Sequence, residues 1–66
     1  MTRFEAAQAL KEKKKLTHRL FNPDEWIMGS LYGYYLDEDG VQCTAAHFWK
    51  WKQSEEYNDG WELYKE

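Results

Sequence analysis

His18, Arg19, Phe21 and Asn22 stand within five positions of one another. Their types suit one task, the capture of a small anionic ring compound. The planar guanidinium of Arg19 can hold phosphate oxygens through two parallel hydrogen bonds. His18, Lys14 and Lys15 would add positive charge beside it. Phe21 offers a flat face to a base or ribose, and a stacked base is worth about 1–3 kcal/mol. Asn22 carries an amide that pairs with a base edge or a ribose hydroxyl. Trp51, further along the chain, is a second candidate ring. Each residue also has a purely structural reading. Arg19 could pair with Glu25 across a hairpin, an exposed contact worth at most about 1 kcal/mol. Phe21 could belong to the core, and a lone histidine in a small core is most often simply hydrogen-bonded.

Other chemistries find less support. The chain has no nucleophile elbow, no glycine-rich phosphate loop and no Cys–His pair at a telling spacing. Asp37, Glu38 and Asp39 stand in a turn, and carboxylates form an acid–base pair only where burial drives their pKa values apart. Cys43, His18 and His47 lack zinc-site spacing, and Asp37, Asp39 and Gly40 match only part of a calcium loop. The expectation is a binding protein, not an enzyme, with no cofactor and no metal.

Sixty-six residues make one domain, 1–66, with little core to stabilise it. One cysteine allows no internal disulfide and suits a reducing compartment. Four Trp, five Tyr and three Phe must therefore supply the core, an interface between copies, or both. A net charge of −3 argues against a nucleic-acid polymer as partner but not against a small anion held by two or three donors. No stretch has the length of a membrane span, and no apolar segment follows the N-terminus as a signal peptide requires. A cytoplasmic homo-oligomer is the resulting expectation.

The elements that must position these residues read as follows. Thr2 and Glu5 form a capping-box pattern, and Phe4, Ala7 and Leu10 recur at helical spacing with Ala6 and Ala9 beside them, which predicts a helix over 3–13. Lys13, Lys14 and Lys15 complement its C-terminal dipole. Alternation over Leu16–Phe21 predicts a strand with Arg19 and Phe21 on one face. Asn22-Pro23-Asp24 signals a turn into a second strand, 25–31, with Gly29 and Ser30 marking a bulge or break. Tyr32-Gly33 turns the chain into a third strand, 34–37, and Asp39-Gly40 into a short return strand, 41–43. Thr44 caps a second helix, 45–53, with Trp51 off its apolar stripe, and a polar loop leads to a last strand, 61–65. Trp26, Phe48 and Trp61 are the expected core rings. The fold class is α+β: an N-terminal helix packed on a small antiparallel sheet, with a second short helix before the last strand.

Phe4-Glu5-Ala6-Ala7, Ala9-Leu10-Lys11, the lysine run, Phe21-Asn22 and the closing Gly60-Trp61-Glu62 together resemble small proteins encoded by bacteriophages. That group includes the second family of Thoeris anti-defence proteins. The resemblance covers the two ends of the chain. Phe21 stands where the family usually has Trp, and Gly60 where it usually has Asp, with Asp59 adjacent. The resemblance implies an oligomeric sponge that sequesters a nucleotide-derived immune signal, cyclic ADP-ribose-like or a cyclic dinucleotide. Phe21, Asn22 and Trp61 are the positions it carries over. The rival expectation is a protein–protein inhibitor of a host defence enzyme, of the anti-CRISPR kind. Its acidic segments 37–39 and 55–59 would face a basic surface.

Overall fold

A computed structural model describes residues 1–65. Thr2 opens the first helix, α1 (Arg3–Lys11). The Glu5 amide donates to Thr2 Oγ1 at 3.2 Å, and the Thr2 amide donates to Glu5 Oε1 at 2.8 Å. These bonds to Thr2 hold the Glu5 carboxyl below the usual carboxylate range. Such a cap is worth about 1 kcal/mol.

The helix ends two residues before the sequence suggests. The Lys13 amide bonds Leu10 O at 3.0 Å and the Lys14 amide bonds Ala9 O at 3.1 Å, the double bond pattern of a Schellman motif. Its left-handed position falls on Lys13, at φ 64°. The buried face also differs from the expected one. Ala6, Ala9 and Leu10 are buried, whereas Phe4 is 84% exposed. Two alanines inward let the helix axis approach the sheet closely. Gly29 lies under Leu10 at a distance no side chain would permit.

The strands are β1 (Lys15–His18), β2 (Ile27–Gly29), β3 (Tyr34–Asp37), β4 (Gln42–Thr44) and β5 (Trp61–Leu63). All neighbours pair antiparallel in the order β4-β3-β2-β1-β5. The second helix, α2 (Ala45–Lys50), starts at Thr44, whose hydroxyl accepts from the His47 amide at 3.1 Å. The fold is α+β as expected: an N-terminal helix, a five-stranded antiparallel sheet and a short helix before the last strand. No helix among the described residues is long and apolar enough to cross a membrane.

Register and alternation put Leu16, His18, Ile27, Gly29, Tyr35 and Trp61 on one sheet face. Both helices pack there, closing a core of Ala6, Ala9, Leu10, Leu16, Ile27, Tyr35, Phe48 and Trp61. Trp26, expected in that core, is only half-buried. It precedes β2 and lies beneath the Lys15 ammonium, 4.2 Å from its ring centre.

Several boundaries are shorter than alternation suggests. β1 stops at His18, because the Phe21 amide turns back onto His18 O at 2.9 Å. β2 begins at Ile27, so 19–26 is a longer connection than an Asn-Pro-Asp hairpin. Gly29 pairs in register with Tyr35 and makes no bulge. Leu31–Gly33 and Glu55–Asn58 are 3-10 turns, and α2 stops at Lys50.

Candidate functional site

The early end of β1 decides where the five sequence candidates go. His18 is 2% exposed. Its Nδ1 accepts from the Leu20 amide at 3.1 Å, so the ring proton sits on Nε2. Nε2 then donates to Asp59 O at 2.7 Å, with Glu56 O at 3.0 Å. The rings of Phe21, Tyr57 and Trp61 surround it at 5.9, 4.8 and 4.7 Å. His18 thus ties the 55–60 loop to β1 and has no donor left for a ligand.

Arg19 is exposed, and its guanidinium donates to Glu56 O at 3.4 Å rather than to Glu25. Glu25 instead accepts from the Asn22 amide at 3.1 Å, closing the turn. Asn22 is exposed on that turn. Phe21 is half-buried and stands edge-on to Trp61 at 5.6 Å. Trp51 is 70% exposed at the end of α2, where its Nε1 donates to His47 Nε2 at 3.2 Å. The structure therefore brings His18 and Phe21 together, inside a cluster around Trp61. Arg19 and Asn22 stay on the nearby surface, and Trp51 belongs to another element.

Clefts among the described residues differ in charge, and three are distinguished by it. One, of about 190 Å³, has Phe21, Trp26 and Phe48 in its walls together with Glu25, Asp37, Glu38 and a single cation, Lys52. Three carboxylates oppose an anion there. A second, of about 430 Å³, lies between α1 and β5, with Phe4 and Leu63 flanked by Glu5, Glu12 and Lys14. Lys14 is already committed to Glu12 at 3.3 Å.

The third cleft, of about 290 Å³, is basic and aromatic. The end of α1 supplies Lys11 and Lys13. The 30–34 segment supplies Ser30, Leu31, Tyr32, Gly33 and Tyr34, and Leu10, Tyr35 and Ala45 complete the lining. No carboxylate lines it. Among the described residues, neither lysine makes an ion pair, and the Ser30, Tyr32 and Tyr34 hydroxyls make no hydrogen bond to protein. The α1 C-terminus would ordinarily repel an anion. Here the Schellman bonds occupy two of its carbonyls, and the two ammonium groups outweigh its partial charge.

Among the described residues, Lys13 and Tyr32 are the non-glycine residues at positive φ, 64° and 60°, and both line this groove. A left-handed residue with a side chain costs about 1–2 kcal/mol. Glycine would remove the cost at either position. That both stand at the rim of one groove with large exposed side chains is the strongest mark of a site in this molecule. Neither protein-family models, nor curated proteins, nor solved structures give a match to this chain.

Sequence reasoning placed Lys13 in the helix end and Tyr32 in a turn, and missed that the two line one groove. The one available signal was a lysine run extending past the last apolar position of α1, with no glycine to terminate the helix.

Proposed function

We propose that this protein binds a nucleotide-like anion in the groove between Lys13 and Tyr32 and sequesters it without catalysis. The context is the one its sequence resembles, phage-type anti-defence, with a nucleotide-derived immune signal, cyclic ADP-ribose-like or a cyclic dinucleotide, as the cargo. The observation that carries this reading is the groove itself: two lysines without an ion pair and three tyrosines, with no carboxylate among the described lining residues, and a left-handed backbone at Lys13 and Tyr32. A non-catalytic role accords with the remaining ionisable groups. Burial pushes the Cys43 thiol and the Tyr35 hydroxyl up, which makes both poorer nucleophiles.

Lys13→Gly tests the reading, because it separates structure from function. It relieves the left-handed backbone and removes the charge. Unfolding free energy should rise by about 1 kcal/mol. Affinity for a bound nucleotide should fall at least about tenfold, or 1.4 kcal/mol, by calorimetry. A stabilised variant with unchanged affinity would place the ligand elsewhere.

The reading includes self-association. Phe4, Leu31, Tyr32, Val41, Trp51 and Leu63 are each more than half exposed, a large apolar surface for so short a chain. Light scattering at micromolar concentration should return a multiple of the chain mass, and a monomer mass would remove this part of the proposal.

One observation favours the protein-inhibitor alternative. Trp51 is a protruding ring beside Lys52, which lies in the acidic cleft with Asp37 and Glu38 and 5.4 Å from the Tyr57 ring. An exposed tryptophan on a chain of net charge −3 suits a basic protein surface. Failure of every nucleotide to bind, with capture of a basic defence enzyme weakened by Trp51→Ala, would favour it.

A further inference from the structure

Resting on that reading of the groove, we propose that it selects ligands with two negative charges at one end of a single nucleotide unit. A terminal phosphate or a diphosphate meets this requirement. A cyclic dinucleotide does not, since its two single charges stand apart on a ring.

The cations of the groove come from one stretch of chain. Lys11 ends α1 and Lys13 follows two positions on, while the 30–34 segment supplies Tyr32 and Tyr34 and no charged side chain. Two ammonium groups at one end attract a dianionic group more strongly than a monoanionic one, since each added charge interacts with both. The tyrosine wall receives a ring without regard to base identity. Ser30 and Tyr34 present hydroxyls with no protein partner, positioned to meet a ribose or a phosphate oxygen.

Size points the same way. At about 290 Å³ the groove is at the floor of the range of small-molecule sites, about 300–1,000 Å³. One base with its charged end occupies it. A second nucleotide would have to lie outside, and its phosphate would find no cation among the lining residues.

The test is titration calorimetry at fixed salt with AMP, ADP, 3′,5′-cyclic AMP and cyclic di-AMP, on wild type and on Lys11→Gln. AMP and cyclic AMP match closely in size and differ by one charge, so their ratio isolates the charge requirement. AMP or ADP should bind at least tenfold more tightly than cyclic AMP, and whichever is tighter identifies the preferred form, terminal phosphate or diphosphate. Cyclic di-AMP should bind no more tightly than cyclic AMP. Lys11→Gln should weaken AMP and ADP and narrow their advantage. If cyclic AMP or cyclic di-AMP equals AMP and ADP, and Lys11→Gln weakens all four alike, the charge selection is overturned while the groove stands. If wild type binds none of the four, or Lys11→Gln changes nothing, the groove assignment falls and the selection with it.

Discussion

Gly29→Ala should lower the unfolding free energy by about 3 kcal/mol or more. A β-carbon built at this position lies 1.6 Å from the Leu10 carbonyl oxygen and 2.6 Å from its carbon. Both are backbone atoms, so no side chain can turn aside. Either α1 must lift from the sheet or β2 must sink. Lifting α1 separates Ala6, Ala9 and Leu10 from Leu16 and Ile27, which is much of the core. Gly29 does not have a positive φ, so alanine carries no backbone penalty there and the loss reports the close approach alone. For a domain of this size each kcal/mol lowers the melting temperature by roughly 4–8 °C. The expected fall is therefore roughly 12 °C or more. A melting curve within a few degrees of wild type would show that α1 does not lie this close to β2.

Trp61→Ala should be the most damaging truncation in the chain. Trp61 is 1% exposed and is met by His18, Phe21, Phe48, Trp49 and Tyr57. Its Nε1 donates to Tyr57 O at 2.8 Å, and its backbone pairs with the first residue, Met1 N donating to Trp61 O at 2.7 Å. Replacing a buried tryptophan by alanine costs about 3–5 kcal/mol. A domain of this length has roughly 3–10 kcal/mol in total. The variant should accordingly lose cooperative unfolding or sit at its edge at 25 °C. Trp61→Phe keeps an aromatic ring in the cluster and should remain folded with a smaller loss. Near-ultraviolet circular dichroism and urea titration distinguish these outcomes. A cooperative Trp61→Ala variant within about 1 kcal/mol of wild type would mean that the aromatic cluster is not the keystone of the core.

Both variants bear on the candidate site indirectly. The groove hangs on the position of α1 over β2, since its lysines leave the helix end and its tyrosines leave β2 by the 30–34 connection. Lys13→Gly is the complementary change, because it touches the groove and leaves this packing intact.

Local chemistry was legible from the residues alone. The Thr2–Glu5 capping box forms as written, since all of its atoms lie within one helical turn. Thr44 caps α2 and the Asp39-Gly40 turn joins β3 to β4 for the same reason, with Asp37 Oδ1 accepting from the Asp39 and Val41 amides at 2.9 and 3.0 Å. Phe48 and Trp61 were identifiable as core by size and position. The α+β arrangement followed from the order of these elements. What the residues determined, then, was the caps, the Asp39-Gly40 turn and the order of the elements, whose partners are near in sequence.

Tertiary structure decided the rest. Phe4 has the helical spacing of a core residue, yet Ala6 and Ala9 face inward, because the close seat over Gly29 admits only small side chains. Arg19 and Phe21 alternate as one strand face, yet β1 ends at His18. There the histidine bonds the 55–60 loop, some 40 positions away, and no local pattern announces that bond. The groove is the clearest case. Lys13 and Tyr32 are ordinary residues in the sequence, one in a lysine run and one beside a glycine. They come to line one groove, each in a left-handed backbone, only when α1 is laid across β2 and the chain must turn sharply at both points. A cleft is a property of two surfaces held apart by a core, so its residues have no periodicity of their own to be read.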